Sequence, residues 1–320
     1  MDRSVMTKAV VATAFGGPEV LSVIEVPAGP PGPGEVLISV RAAGTNPIDY
    51  KRYSGAMGRD PARLPMRLGS EVAGVVTEVA DGAEGPGGRI RAGDEVIAYP
   101  IAGGYAADVA VPASSVIPKP AALSFGQASG TMLTGVTAWH ALAAGQVGAG
   151  DTVLVHGASG GVGLMAVQLA AASGARVIGT ASPGAHALLR ELGAEPVAYG
   201  AGLEERVRAL APDGVDAAVD AVGGDEALDT SLTLVADHAR IVTLLASRRA
   251  FDSGVKVIGG APGADPGTEI RAAARLELAR LAEHGKLRVI VAATYPLAEA
   301  AAAHEALATG HTRGKIVLVP

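Results

Sequence analysis

Glycine residues at three fixed positions stand between a short β-branched run and a long apolar stretch. The run Thr152–His156 is followed by GASGGVG, in which Ala158, Gly160 and Gly163 take the three positions of an A-x-G-x-x-G pattern. The second position lets backbone N–H groups approach a pyrophosphate, and the third lets the following helix lie against the strand. The start of that helix supplies unpaired N–H groups and a partial positive charge. We therefore predict a dinucleotide site, whose phosphate-binding residues are Ala158, Ser159, Gly160, Gly161, Val162 and Gly163.

The end of the next predicted strand, Arg176–Thr180, decides which nucleotide fits. A site for NAD carries an acid about 20 residues beyond the first glycine, where it binds the ribose 2′-hydroxyl, but this chain has no acid between the strand and Glu191. Serine and tyrosine hydroxyls can instead donate hydrogen bonds to a 2′-phosphate, and a histidine can add positive charge. We predict NADPH as the cofactor. The residues predicted at this end of it are Gly179, Ser182, His186 and Tyr199.

Composition excludes several other classes of site and partner. The 320 residues include no cysteine, and the seven histidines (140, 156, 186, 238, 284, 304 and 311) show no ligand spacing, whereas a catalytic zinc needs about three protein ligands. No metal is therefore expected. A net charge of −6 without a block of basic residues argues against nucleic-acid binding. The apolar segments 120–150 and 152–175 are interrupted by glycine and polar residues, and the N-terminal KAVVATAF alternates into a hairpin, so we expect a cytoplasmic protein with no membrane partner.

Two patterns of secondary structure divide the chain. Short strands separated by turn signals are predicted at Val10–Ala14, Leu21–Val26, Glu35–Ala42, Val72–Val79, Glu95–Ala98 and Ala107–Val111. From about Gly126, strands (Thr152–His156, Arg176–Thr180, Val215–Asp220, Arg240–Leu245, Val255–Ile258) alternate with helices (Val162–Ser173, Ala185–Leu192, Asp225–Val235). The last elements are a helix from Glu269 to Glu283, a strand Leu287–Ala293, a helix Leu297–Ala308 and a strand Lys315–Val319. The first pattern indicates a small β-barrel or sandwich, and the second indicates βαβ units around a parallel sheet.

Several motifs resemble the zinc-free quinone oxidoreductase (zeta-crystallin-like) branch of the medium-chain dehydrogenase/reductase superfamily. They are HGASGGVGLMAVQLA, LTGVTAWHAL, AAGTNPIDYKRYSG and LGSEVAGVV, and the resemblance covers nearly the whole chain. It implies an α/β fold in which a Rossmann doubly wound parallel sheet (126–261) is joined to a GroES-like β-rich domain formed from both termini (1–125 and 262–320). It also implies an active cleft at their junction, and a homodimer, for which Val255–Ile258 is the candidate edge strand. Zinc-dependent members place a histidine where this chain has Ser70, which we interpret as a structural turn residue.

The resemblance also places the segment Asn46–Tyr53 against the nicotinamide and the substrate. Hydrogen-bond donors there would support negative charge on a quinone or enone oxygen. Asn46, Tyr50 and Lys51 are the predicted catalytic residues, and Asn46, Tyr50 and Tyr53 are predicted to line the substrate pocket. For Lys51 the alternative is a solvated side chain on a short helix that Asp49 caps.

Further cofactor contacts follow from the same resemblance. Thr137 is predicted to lie against the nicotinamide carboxamide, although an ordinary helix hydroxyl is the alternative. Leu245, Ala246 and Ser247 are predicted to line the nicotinamide through backbone groups. Lys315 either reaches the cofactor region or begins its strand at the surface.

The predicted activity is NADPH-dependent transfer of hydride to a quinone, or to another activated C=C or C=O acceptor, without metal. One alternative is an enoyl or alkenal reductase of specialised metabolism, which the sequence does not separate from a quinone reductase. The other is a non-catalytic or non-redox NADPH-binding member of the fold, because a fold does not dictate its chemistry.

Overall fold

The computed structural model describes residues 5–310 and 312–320, so His311 lies outside the described residues. Its α-carbon contacts divide the chain into two compact units. The first unit comprises the described residues up to Leu133 together with Leu276–Pro320, and the second comprises Thr134–Arg275. The domain limits predicted from sequence, at 125/126 and 261/262, stay a proposal.

Strands and helices are numbered here in chain order. The strands of the described residues are β1 (Val5–Ala12), β2 (Leu21–Ala28), β3 (Glu35–Gly44), β4 (Met66–Arg67), β5 (Val72–Val79), β6 (Glu84–Gly85), β7 (Gly88–Arg89), β8 (Glu95–Ala98), β9 (Asp108–Pro112), β10 (Val116–Pro118), β11 (Thr152–His156), β12 (Arg176–Thr180), β13 (Ala194–Val197), β14 (Ala217–Asp220), β15 (Ile241–Thr243), β16 (Lys256–Val257), β17 (Val291–Pro296) and β18 (Lys315–Val319). The α-helices are α1 (Pro47–Tyr53), α2 (Phe125–Ser129), α3 (Met132–Ala144), α4 (Gly161–Ala172), α5 (His186–Glu191), α6 (Leu203–Leu210), α7 (Asp225–Leu234), α8 (Arg248–Asp252), α9 (Thr268–Glu283) and α10 (Ala300–Ala308).

The first unit is built mostly on antiparallel β-sheet, and β17 and β18 are its parallel pair. Its larger sheet has the order β10-β8-β5-β3-β18-β17, with β9 also paired to β3, and its smaller sheet has the order β2-β1-β4. The predicted N-terminal hairpin is confirmed, since β1 pairs antiparallel with β2. The inward faces carry Val, Ile and Leu side chains such as Ile38, Leu68 and Leu318, which form one buried core. Strand β18 near the C-terminus pairs with β3 near the N-terminus, so both ends of the chain build this unit.

The second unit is a six-stranded parallel sheet in the order β13-β12-β11-β14-β15-β16. The order reverses beside β11, and a ligand site is expected at such a switch point, outside the carboxyl ends of the strands. Helix α4 follows β11, and every residue from Gly163 to Ala170 is buried because the helix is apolar on all faces. The predicted fold class, a Rossmann doubly wound sheet with a GroES-like β-rich domain, is confirmed.

No helix in the described part of the chain combines the length and the hydropathy needed to cross a membrane.

Candidate active site

The glycine-rich turn after β11 is anchored on the neighbouring strand β12. Gly157 has a left-handed φ of 67°, and its N–H donates to the Thr180 hydroxyl at 3.2 Å. The N–H of Ala158 donates to the Thr180 carbonyl at 3.0 Å, and that of Gly160 returns to the Gly157 carbonyl at 3.0 Å. These bonds fix the turn before α4 begins.

Two glycines of this turn serve different purposes. A Cβ at Gly163 would lie 2.1 Å from the Gly157 carbonyl oxygen, so any side chain there would push α4 away from the turn. A Cβ at Gly160 would meet the same oxygen at 3.4 Å, which is an ordinary contact. Packing among the described residues therefore requires glycine at 163. At 160 it leaves room for an approaching ligand.

The start of α4 fits an anionic group. Gly160 is its N-cap, and among the described residues no side chain caps the helix and no acid stands in its first turn. The first amide N–H groups and the positive end of the helix dipole are thus left for an external acceptor. A pyrophosphate satisfies both features.

At the end of β12, polar groups replace the acid that an NAD site carries. Ser182 is half-buried and precedes a short 3-10 turn that its side chain does not cap within the described structure. His186 Nε2 lies 3.2 Å from the Ala181 carbonyl oxygen. Gly179 is buried inside β12, where a Cβ would lie 2.9 Å from the Ala158 Cβ. Its role in this structure is therefore to let the turn pack on β12.

Tyr199 stands on a loop that two charged side chains hold in place. It follows β13, and 55% of its surface is exposed. Arg206 donates to three carbonyl oxygens of the loop, those of Ala198 (3.0 Å), Gly200 (2.7 Å) and Ala201 (2.8 Å). On the other side, the N–H of Gly200 donates to Glu226 at 3.0 Å. Sequence reasoning missed Arg206, because its partners are backbone groups that leave no sequence pattern.

Asp220 organises the loops after two adjacent strands. Its Oδ1 accepts hydrogen bonds from the N–H groups of Val222 (3.1 Å) and Gly223 (2.7 Å) after β14. Its Oδ2 accepts from the Thr243 hydroxyl at 2.9 Å, and that hydroxyl oxygen in turn accepts from the N–H of Leu245 at 3.1 Å after β15. One buried carboxylate therefore fixes the course of both loops.

The remaining predicted cofactor residues of the second unit lie on two elements. Thr137 lies in α3 and is 7% exposed. Leu245 and Ala246 are in the loop after β15, and Ser247 is the N-cap of α8, its hydroxyl oxygen accepting from the N–H of Ala250 at 3.1 Å. The Ser247 side chain is thus engaged as a helix cap.

In the first unit, Asn46 lies at the centre of a buried polar cluster. It is 1% exposed and is the N-cap of α1, its backbone N–H donating to Asp49 Oδ2 at 3.0 Å. Its side-chain nitrogen donates to Glu71 at 3.1 Å, and its side-chain oxygen accepts from Lys315 at 2.6 Å. The side chain of Asn46 is therefore engaged inside the protein.

Glu71 and Lys315 complete this cluster. Lys315 Nζ lies 3.0 Å from Glu71 Oε1 and also donates to the Thr45 carbonyl at 2.8 Å. The second carboxylate oxygen of Glu71 accepts from the N–H of Leu133 at 2.8 Å. Both side chains are at least 95% buried, so the placement of Lys315 at the surface is wrong. A buried ion pair persists only with such complete hydrogen bonding.

Asp49, three residues along, is a buried carboxylate with an altered pKa. Burial raises its pKa to about 6, while a hydrogen bond from Tyr105 and the charge of Arg52 act in the opposite direction. Ser70 lies 3.4 Å from Asp49 and within reach of Arg52. Its backbone carbonyl accepts from the N–H of Ile101, which agrees with a structural turn residue.

Three side chains of α1 predicted near the substrate differ in exposure. Lys51 is exposed and Tyr50 is half-buried. Tyr53 is 1% exposed and its hydroxyl bonds to His304 Nδ1 at 2.8 Å. In this structure Tyr53 belongs to the core of the first unit, so Tyr50 and Lys51 are the two that present surface to a substrate.

The described residues contain no group of three or more His, Asp or Glu side chains that could hold a metal ion. His140, His156 and His304, all buried, have hydrogen-bond partners in Asp265, Ser231 and the two tyrosines Tyr53 and Tyr105. These three histidines are thus structural.

Comparisons with known proteins agree with this arrangement. The family described as "Alcohol dehydrogenase GroES-like domain" matches residues 32–121, and "Zinc-binding dehydrogenase" matches residues 192–318. The quinone oxidoreductase of Mus musculus is 33% identical over 333 residues, covering 98% of both chains. The quinone oxidoreductase structure from Coxiella burnetii has a TM-score of 0.83 at 32% identity, covering 99% of this chain and 100% of that one. A mycobacterial protein complexed with NADPH has a TM-score of 0.83 at 32% identity, covering 98% and 100%.

The fold and the glycine-rich turn define a pyridine-nucleotide-dependent oxidoreductase of the medium-chain dehydrogenase/reductase superfamily. Within that superfamily, the chain belongs to the quinone oxidoreductase family, and it is an enzyme. The chain has no cysteine, and its described residues hold no group of three or more His, Asp or Glu side chains that could bind the zinc named in the description "Zinc-binding dehydrogenase".

Proposed function

We propose that this protein is an NADPH-dependent reductase of quinones, or of other acceptors with an activated C=C or C=O bond, that works without a metal. The observation that carries the proposal is the glycine-rich turn at the uncapped start of α4, together with hydroxyl and imidazole groups instead of an acid after β12. The NADPH in the related mycobacterial structure and the names of the quinone oxidoreductase relatives support it.

The residues of the second unit would hold the cofactor by its phosphates. The backbone of Ala158–Gly163 would receive the pyrophosphate at the start of α4. Ser182, His186 and Tyr199 would receive the 2′-phosphate, and the Arg206 contacts with the loop would keep Tyr199 in place. When bound, NADPH supplies the hydride.

The loops organised by Asp220, together with Thr137 on α3, are proposed for the nicotinamide end. Backbone groups of Leu245, Ala246 and Ser247 remain the proposed contacts, because the Ser247 side chain already caps α8. Asp220 would position these backbone groups, since it holds the loops after β14 and β15 together.

On the acceptor side, the first unit offers donors at α1. The exposed Lys51 and the half-buried Tyr50 would donate hydrogen bonds to the acceptor oxygen as negative charge develops there. Asn46 would act as a positioning residue, since both ends of its side-chain amide are engaged with Glu71 and Lys315.

A homodimer is also proposed. Strand β16 forms one edge of the parallel sheet, and an edge strand presents backbone groups that a second copy of the chain can pair with. Light scattering at micromolar concentration should give twice the mass of the 320-residue chain. A monomer would contradict this part of the proposal.

Steady-state oxidation of NADPH against a panel of quinones and enones tests the function. Turnover with quinones is the expected result. Turnover with 2-enals or enoyl thioesters alone would favour the enoyl or alkenal reductase. Tight binding of NADPH with no turnover on any acceptor would favour a non-catalytic member of the fold.

A further inference from the structure

The first unit buries four polar side chains that none of the steps above uses as a donor to cofactor or substrate. Tyr53 is 1% exposed, while Asp49, Tyr105 and His304 have no measurable exposure. Asp49 and Tyr53 belong to α1, Tyr105 precedes β9 and His304 belongs to α10. They come from three distant parts of the sequence and meet beneath the helix that carries Tyr50 and Lys51.

These side chains form one continuous hydrogen-bonded chain. The Tyr53 hydroxyl lies 2.8 Å from His304 Nδ1, and the Tyr105 hydroxyl lies 3.0 Å from His304 Nε2. The Tyr105 hydroxyl also donates to Asp49 Oδ2 at 3.0 Å. The rings of the two tyrosines also hold the imidazole of His304. The Tyr53 ring stacks on it with an interplanar angle of 14°, and the Tyr105 ring meets it edge-on at 75°.

The protons available on these side chains allow the hydrogen-bonded chain only one donor-to-acceptor direction. Tyr105 has a single proton and donates it to Asp49, so His304 must donate its Nε2 proton to the Tyr105 oxygen. His304 Nδ1 then carries no proton and accepts from Tyr53. The imidazole is neutral in this arrangement, in agreement with burial that lowers the pKa of His304 to about 4.

Protonation of Asp49 on Oδ2 would reverse every link. Asp49 would donate to Tyr105, Tyr105 to His304 Nε2, and His304 Nδ1 to the Tyr53 oxygen. The proton of Tyr53 would then have lost its acceptor in the chain while remaining 1% exposed, which is unfavourable for a buried donor. The hydrogen-bonded chain therefore favours the ionised form of Asp49 over the protonated form.

The surrounding charges act on the same equilibrium. Burial raises the pKa of Asp49 to about 6, and the hydrogen bond from Tyr105 is the largest influence that lowers it. The titratable groups that face the chain are Arg52, Lys315 and Glu71 beside Asp49 and Tyr105, and Glu19, Tyr50 and Glu305 beside Tyr53. Loss of the Tyr105 donor would leave Arg52 and Lys315 as the cations that favour the carboxylate.

We propose that Tyr105 and His304 are positioning residues of the acceptor site, which hold Asp49 as the acceptor that closes the N-terminal cap of α1. Through that cap they fix Asn46 at the start of the helix and the direction in which Tyr50 and Lys51 face. This proposal rests on the proposed function for its catalytic consequence. Its electrostatic part concerns Asp49 alone and holds independently of any substrate.

The catalytic part is tested by Tyr105→Phe and by the matched control Tyr295→Phe. Tyr295 packs against the same core, and its hydroxyl has no hydrogen bond among the described residues. For Tyr105→Phe we expect the acid limb of kcat/KM for a naphthoquinone to move up by about one pH unit, with about a fivefold loss near pH 6 that approaches about tenfold at lower pH. The Kd for NADPH should stay within about twofold. A profile identical to that of Tyr295→Phe would overturn the proposal.

Two substitutions at His304 separate positioning from simple packing. The amide nitrogen of His304→Gln can replace Nε2 as the donor to Tyr105, whereas His304→Leu removes the donor. We expect the glutamine variant to keep most of the wild-type pH profile and the leucine variant to lose it. Equal profiles for the two variants would contradict the directional chain.

Infrared difference spectroscopy of the full chain keeps the test independent of activity. The carboxyl band of Asp49, assigned by its loss in Asp49→Asn, should titrate at higher pH in Tyr105→Phe than in the wild type. If none of the quinones supports oxidation of NADPH by the wild-type protein, the proposed function fails. This titration still decides whether Tyr105 holds the carboxylate of Asp49. If the Asp49 band titrates at the same pH in Tyr105→Phe and in the wild type, the proposed role of the hydrogen-bonded chain is overturned.

Discussion

Lys315 Nζ donates to the side-chain oxygen of Asn46 at 2.6 Å, joining two residues that lie 269 positions apart. The same ammonium group is 3.0 Å from Glu71, whose oxygen also accepts from the Asn46 side-chain nitrogen. The last strand of the chain therefore sets the side-chain amide at the start of α1. Both termini are needed to place the residues proposed to face the acceptor.

Removal of the Lys315 charge should show how much this cluster contributes to the free energy of unfolding. Lys315→Met leaves the Glu71 carboxylate buried without its cation, so we expect the free energy of unfolding to fall by about 3–5 kcal/mol. Urea unfolding measures it. Lys8→Met, at an exposed position of β1, is the control and should change stability by less than about 0.5 kcal/mol.

The charge explanation has its own check. Addition of Glu71→Gln to Lys315→Met removes the unpaired charge and should restore part of the lost stability. If Glu71→Gln lowers the stability of Lys315→Met by as much as it lowers the stability of the wild type, the charge explanation is contradicted.

Gly163→Ala should disturb the nucleotide turn through packing. The new Cβ would lie 2.1 Å from the Gly157 carbonyl oxygen, so α4 must move. We expect a loss of about 1–3 kcal/mol in stability and at least a tenfold weaker Kd for NADPH by fluorescence titration. Gly148→Ala, whose Cβ meets no atom within 4 Å, should leave both unchanged. Unaltered NADPH binding by Gly163→Ala would contradict the position of the turn.

Arg206→Met should weaken the binding of NADPH more than the binding of NADH. Its guanidinium holds the carbonyl groups on both sides of Tyr199, and Tyr199 is proposed to meet the 2′-phosphate, which NADH lacks. We expect the Kd for NADPH to rise about tenfold more than the Kd for NADH in parallel titrations. Arg208→Met, on the same helix with Glu204 as its partner, is the control. Equal effects on both nucleotides would mean that the loop does not select the phosphate.

Acid should destabilise the fold through two buried histidines. Burial lowers the pKa of His156 and of His304 to about 4, so the unfolded chain binds more protons than the folded one between that value and about 6.5. Their contribution is complete above pH 6.5 and is lost as pH falls towards 4. Asp49, whose pKa is raised to about 6, acts in the opposite direction over pH 6 to 4. We expect the sum to favour the histidines, so stability falls.

The histidine contribution is isolated by His156→Gln. The amide nitrogen can still donate to Ser231, the partner of His156 Nε2, but the side chain does not titrate. The drop in the urea midpoint between about pH 7 and pH 5 should be smaller than in the wild type. The exposed His284→Gln serves as control. An undiminished drop in His156→Gln would show that other groups dominate the acid response.

The parts of the fold that the sequence predicted are those encoded by neighbouring residues. The turn after β11 is contiguous, so its glycine spacing could be interpreted directly, and the structure has the strand, turn and helix in that order. The strand β13 was missed. It contains Glu195 and Pro196, which are uncommon in strands, and it lies at the edge of the sheet, where proline is tolerated.

One strand boundary was wrong for a related reason. The apolar residues Leu287 and Val289 suggested a strand Leu287–Ala293, whereas β17 runs from Val291 to Pro296. Both residues are buried, but they contribute to packing outside the sheet. Hydrophobic alternation reports burial, and it does not by itself report pairing with a neighbouring strand.

The buried clusters of the first unit could not be predicted from sequence. Glu71, Tyr105, His304 and Lys315 are isolated in the sequence, and the pairing of β3 with β5, β9 and β18 brings the segments of Glu71, Tyr105 and Lys315 together. Tyr53 illustrates the limit. Lys51 is exposed on the same helix, whereas Tyr53, two positions further along α1 and so on another face, lies against His304.

The account depends most on the nucleotide that the second unit binds, and calorimetric titration of the wild-type protein with NADPH and NADH tests it directly. The hydroxyl and imidazole groups after β12 predict that NADPH binds at least tenfold more tightly, a difference of about 1.4 kcal/mol. Equal dissociation constants, or no heat of binding with either nucleotide, would contradict it.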